Sequence, residues 1–327
     1  MYKYLCAISC LALLAIFGSG CGRGEKLDGN TYKEAPQYVR SVVLMDGQDT
    51  LVPVRVQFVD DTLFVSYNGL PRLDLYNRNL ERVRSISLTQ PDTVMPTSFW
   101  ILDSILIVAD HVQGLILSYD RKGTLLASYG RLPDNQTPLH PFAVTAYGGV
   151  LYASDLGLRR ILAISLVDAE GITEKGEVIL AIPSDSTKTL GFPAAVAVTP
   201  DGRLLVGDAV SGSIDVFTCD GRYVYRFDSI PAMPIRGPQA FAMDGKSDPE
   251  LQDTSRFDPS DVQFLGRIHV VDAASGTVHM FNPLGKYIAS YPERRMQKPA
   301  GITIDIKNHE LYIADPEARE LHVFHIR

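Results

Sequence analysis

Apolar and polar residues alternate along this chain in short runs such as "VRVQF" from Val54, "AVTAY" from Ala143 and "YVYRF" from Tyr223. A period of two, rich in β-branched and aromatic residues and bounded by Gly, Asp, Asn and Pro, predicts β-strands and hairpins. The runs recur as a larger unit. Its copies are "PVRVQFVDDTLFVSYNGLPRLDLYN" from Pro53, "PTSFWILDSILIVADHVQGLILSYDRKG" from Pro96, "PFAVTAYGGVLYASDLGLRRILAIS" from Pro141, "PAAVAVTPDGRLLVGDAVSGSIDVFTCDG" from Pro193, "PSDVQFLGRIHVVDAASGTVHMFNPLG" from Pro259 and "PAGITIDIKNHELYIADPEARELHVFHI" from Pro299. Each carries a proline, a strand, a turn, a second strand ending in Asp, another turn and a third strand. Most add a fourth, such as "LLASYG" or "YIASYP".

From the proline to the closing Asp110, Asp155, Asp208, Asp272 and Asp315 the spacings are 14, 14, 15, 13 and 16, with Ser66 at 13 in the first copy. Four antiparallel strands per copy and six copies predict an all-β, six-bladed β-propeller. The sixth copy stops after three strands. "YVRSVVLMD", Tyr38 to Asp46, precedes the first copy and has the alternation of the strand that is missing. Pairing it with "ELHVFHI" closes the ring and leaves no open edge. On these segments the chain resembles the NHL-repeat family from about Pro53 to Arg327. The resemblance implies the propeller fold and leaves the function open.

Composition adds compartment and partner class. With 46% hydrophobic and 21% charged residues the chain has material for a large core. "MYKYLCAISCLALLAIFGSGC" runs from Lys3 through thirteen largely apolar residues, Leu5 to Phe17, to small residues before Cys21. That is too short to cross a ~30 Å hydrocarbon layer and reads as a signal peptide over 1–20. The end resembles the lipobox of bacterial lipoproteins, departing from it in having Gly18 where an aliphatic residue is usual. The resemblance implies acylation of Cys21 with diacylglycerol and palmitate-type chains, and a membrane-anchored place in the cell envelope. Residues 21–37 then form a polar tether, and 38–327 the propeller. Cys219 would be left as the lone cysteine of the propeller, with no disulfide to form. The formal charge of −7 becomes −8 without the signal peptide, and no basic stripe marks a nucleic-acid partner.

The residues just before each first strand face one mouth of the channel. On the repeats above they are Val52, Met95, His140, Phe192, Asp258 and Lys298. One His among them is short of the three or four ligands that zinc takes, so His140 is expected to pack or hydrogen-bond at the rim rather than ligate a metal. The histidine-rich channels of peptidylhydroxyglycine lyases, which share the repeat, are not matched. Asp258 and Lys298 are expected to pair as a surface ion pair, and the recurring Asp to hold tight turns. "SIPAMPIRGPQAFAMDGKSDPELQDTSRF", Ser229 to Phe257, interrupts the repeats. Taking Pro238 as the start of the fifth copy would put it 34 residues from Asp272, so the stretch is assigned to an inserted loop on the mouth face. There Met233, Ile235, Phe241 and Met243 would pack over the channel and Arg236 would reach the mouth.

No nucleophile elbow, P-loop, HExxH or paired-cysteine motif is present. The reading is a monomeric envelope lipoprotein that binds a protein or glycan through His140, Phe192, Arg236, Asp258 and Lys298, without catalytic residues or cofactor. The alternative is an enzyme of the lactonase or streptogramin-lyase type with a divalent ion in the channel.

Overall fold

Second strands such as "ILIVA" and "RLLVG" are apolar at almost every position, as a strand needs when both of its faces are covered. The computed structural model places them so. It describes residues 35–88, 94–132, 137–165, 178–183, 189–228, 230–231, 234–247, 264–291 and 295–327. Six four-stranded antiparallel sheets stand around a central axis as the blades of a propeller. The innermost strands are Pro53–Val59, Ser98–Leu102, Pro141–Tyr147, Pro193–Val198, Pro238–Met243 and Gly301–Asp305, and each touches the innermost strand of the next blade.

The core lies between blades. Six apolar clusters fill the six clefts, each built from two neighbouring sheets. Alternation along one strand feeds two clefts: Leu204 and Val206 pack toward blade three, Leu205 toward blade five. Gly301 lets blades six and one approach, because a Cβ there would lie 2.7 Å from the Val54 carbonyl oxygen and 2.9 Å from Arg55 Cα.

Blade six is completed from the other end of the described chain. Gln37–Val42 pairs antiparallel with Glu320–His325, as expected for the closing strand. Tyr38 sits edge-on to Phe324 at 5.6 Å, with the Arg295 guanidinium 4.2 Å above its ring. The strand is shorter than its alternation implied: Met45–Asp46 turns away to pair with Asp49–Thr50. There Asp46 takes hydrogen bonds from Arg72 at 2.7 Å and Arg82 at 3.1 Å.

Two expectations are corrected. Pro238, not Pro259, opens blade five, pairing directly with Asp272. The insertion is the connection from Met243 to Ile268, continued by a small ladder of Lys246–Ser247 with Phe264–Leu265. Closure cost rises only with the logarithm of loop length, so this connection replaces a tight turn without disturbing the blade register. A first-to-second-strand connection lies at the end of the blade remote from the recurring Asp, so the insertion leaves from the face opposite the mouth. In blade one, Pro53 pairs with Tyr67 rather than Ser66, and Tyr67 occupies the place of the Asp.

Candidate functional site in the central channel

The recurring aspartates are turned into their own blades. Asp208 accepts from the N–H groups of Gly191 at 2.6 Å, Phe192 at 2.9 Å, Val210 at 2.9 Å and Ser211 at 3.3 Å. Asp272 takes Arg236 and Gly237, and Asp315 takes Gln297, Lys298 and Ala318. Burial opposes the charge on Asp208, Asp272 and Asp315. The donors outweigh it, with His279 and His322 adding to the effect on the last two, and hold all three below the usual carboxylate range. Each carboxylate ties the entry of the first strand to the turn after the second, the structural role expected of it.

The rim residues named from the sequence are separated in space by what they offer. His140, exposed, gives its N–H to Asp155 at 2.7 Å and covers Gly157. Its ring lies 6.2 Å from His111, which meets Phe142 at 5.9 Å, and Phe142 meets Phe192 at 5.7 Å. An aromatic stripe therefore crosses blades two to four. Arg236 and Lys298, both exposed, stand on blades five and six with their backbone N–H groups fixed by the aspartates. Gly237, directly before Pro238, takes the mouth position assigned to Asp258. Asp258 itself falls within the blade-five insertion and, with Met233 and Cys21, lies outside the described residues.

None of these rim residues lines the channel cavity. That cavity has a volume of about 230 Å³ and is walled by all six innermost strands. Its lining starts at Arg55 and runs to Phe58, Met243 and Ile304 at the far ends of the strands, on the face from which the insertion leaves. Trp100, Met243 and small aliphatic residues such as Ala143, Ala195 and Ala242 are among its apolar lining, and Gln57, Ser98, Gln239 and Thr303 are its uncharged polar side chains.

Arg55 closes the mouth end and was missed by the sequence reading. Its guanidinium reaches from blade one to three other blades: Nε donates to the Thr97 carbonyl at 3.2 Å, and Nη1 to those of Gln239 at 2.6 Å and of Ala300. The residue is only 8% exposed, and no carboxylate among the described residues pairs with it. Burial pushes its pKa down to about 10, so it stays charged at neutral pH. The signal was in the repeats. Two places after the proline the blades carry Arg55, Ser98, Ala143, Ala195, Ala240 and Gly301, and five small residues make room for one long cation. Finding it required the correct start of blade five.

A second polar cluster holds the neck of the insertion. Asp244 receives the Arg267 N–H at 2.7 Å and Nε at 2.5 Å. His269 Nε2 lies 3.3 Å from Asp244, and its Nδ1 is 2.6 Å from the Tyr291 hydroxyl. Arg267 also donates to the Arg327 carbonyl at 3.2 Å, bracing blade five against the last residue of the chain. Burial raises the Tyr291 hydroxyl well above its usual range. His269 hydrogen-bonds Tyr291 and lies beside Asp244 while fully buried and outside the cavity lining, so it serves as a staple. Among the described residues no three His, Cys, Asp or Glu side chains gather as a metal site would require.

No protein-family model matches the chain, and no curated protein does. Solved structures do. A catalytically inactive virginiamycin B lyase from Staphylococcus aureus with quinupristin superposes with a TM-score of 0.59 at 13% identity, over 88% of this chain and 99% of that one. A streptogramin B lyase gives 0.58 at 14%, over 89% and 98%. The β-propeller domain of Cps50 (Swd1) from Myceliophteria thermophila gives 0.54 at 10%, over 90% and 100%. At such identities the likeness is one of fold, and a fold by itself does not fix a function.

Proposed function

We propose that this protein is a binding propeller of the bacterial cell envelope, built of NHL-type repeats, anchored through acylated Cys21 and working as a monomer on a protein or glycan partner. The observation that carries the reading is the chemistry of the channel wall: apolar side chains, amides, hydroxyls and one guanidinium, with no carboxylate, imidazole or thiol among the described lining residues. Such a wall can hold and orient a ligand. It offers no general base, and no side-chain set that a divalent ion would prefer. An ion in the channel, as the streptogramin-lyase alternative requires, would find none of its usual side-chain ligands among these lining residues.

The aromatic stripe at the mouth, with Arg236 and Lys298 across from it, supports a second contact area for a large partner. Two experiments test the reading. Cys21→Ala should move the chain from the detergent phase to the aqueous phase in Triton X-114 partitioning; if both forms stay aqueous, the anchor is wrong. The full chain, immobilised in detergent, should retain an envelope component whose mass is unchanged on elution and whose retention is indifferent to EDTA. A component recovered cleaved or rearranged would replace the binding reading by the enzymatic one.

A further inference from the structure

We infer that the channel is a binding site for the carboxylate of an amphipathic molecule, with the anion held by Arg55 and the apolar part lying against Trp100 and the aliphatic residues of the wall. The inference rests on the binding reading above and gives it a ligand chemistry.

The Arg55 guanidinium is only partly satisfied by the protein. Three of its five N–H groups are spent on the carbonyls of Thr97, Gln239 and Ala300, which fix the plane of the group. The two on Nη2 have no acceptor among the described residues, and Arg55 lines the cavity. A buried cation without an anion is costly, and a carboxylate drawn to it gains a charge-assisted hydrogen bond in a poorly solvated place.

The remaining polar groups of the wall point the same way. Gln57 accepts the Ile101 N–H through Oε1 at 2.8 Å, which leaves its amide NH2 to donate. Thr303 accepts from the Phe58 N–H at 2.9 Å and Ser98 from the Val144 N–H at 3.3 Å, so each keeps a hydroxyl proton to give. Gln239 has no side-chain partner among the described residues. The channel therefore presents more donors than acceptors, the complement of a group that only accepts. Below Arg55 and Ser98 the wall is largely apolar out to Phe58, Met243 and Ile304, with Gln57 and Thr303 set at the depth of Trp100, which suits a mainly apolar body rather than a polyanion or a sugar. A volume of about 230 Å³ admits a small acid or the last residue of a peptide, and either source carries the same carboxylate.

The chain has a single tryptophan, and Trp100 lines this cavity, so intrinsic fluorescence reads the site directly. The full chain in detergent is titrated with 3-phenylpropanoate, with N-acetyl-alanyl-phenylalanine as free acid, and with the amides of both. The expected result is a saturable change in Trp100 emission with at least one acid, and at least a tenfold weaker response to its amide. Binding of the first acid but not the second assigns the site to free small acids, and the reverse to peptide ends. Arg55→Gln should abolish the difference between acid and amide; Arg55→Lys should retain part of it. The acid–amide comparison on the unaltered protein does not depend on either variant folding. Equal responses to acid and amide, or no response to any probe at 10 mM (about −2.7 kcal/mol for binding at that concentration), overturn the inference. A captured envelope partner in that case would leave the binding reading standing, whereas an acid bound at Arg55 and then chemically altered would overturn the reading and leave the anion site.

Discussion

If the recurring aspartates are braces, removing one must cost stability and leave the channel unchanged. Asp208 is the sharpest case, being 1% exposed with four backbone N–H groups converging on it. Asp208→Ala strands all four. Each buried donor left unmade costs about 1–3 kcal/mol, but the adjoining Val210 is 74% exposed and water can reach part of the turn. The expected loss is about 3–5 kcal/mol in all. Asp208→Asn keeps an oxygen for Phe192, Val210 and Ser211, but turns an NH2 toward Gly191 and removes the charge, for about 1.5–3 kcal/mol. At roughly 2–4 °C per kcal/mol for a domain of this size, the two variants should melt roughly 10 °C and 5 °C below the parent. Urea unfolding with an unchanged m-value would locate the effect in the folded state. The Trp100 response to 3-phenylpropanoate should keep its midpoint in both variants. Melting temperatures within a degree of the parent, together with a lost channel response, would refute the bracing argument and make the aspartate ring the site.

Acid should destabilise the protein through the same groups: folded-state depression of Asp208, Asp272 and Asp315 gives stability that is complete above the ordinary carboxylate pKa of about 3.9 and is lost as pH falls through the lower folded values. Stability that stayed flat from pH 5 to pH 2 would contradict this. A chain beginning at Asp49 should lose cooperative melting or aggregate, since Glu320–His325 would be left as an open edge; an unchanged transition would remove the closure argument. Excising residues 246–265 joins Gly245 to Gly266, and a Cβ on Gly266 would sit only 2.6 Å from Gly245 Cα. A two-residue Gly-Gly hairpin should bridge that gap and leave the melting temperature nearly unchanged, and collapse of the fold would show the insertion to be structural. Gly301→Val should destabilise by about 3 kcal/mol or more, because its side chain would meet the Val54 carbonyl and Arg55 backbone. Retention of full stability would mean that blades six and one can part.

The six-fold count, the four-stranded blade and the closing strand from the N-terminal side were all legible in the sequence. Each depends on local alternation and on a unit repeated often enough to be seen through its variation. The fate of the aspartates was legible for the same reason, since an Asp between a strand and a turn has backbone donors close by in sequence. Blade five was not. Its first two strands are separated by residues 244–267, and pairing of Pro238 with Asp272 is decided by the cleft that Ile235, Phe241 and Ile268 fill with blade four, not by spacing. The site was hidden for a related reason. Arg55 lies two residues into an ordinary strand, and only the ring brings the carbonyls of Thr97, Gln239 and Ala300, 42, 184 and 245 residues away in the chain, around its guanidinium. A strand pattern states which faces are apolar. Which buried side chain ends up alone in a channel is settled by where six strands converge, and that convergence belongs to the closed ring.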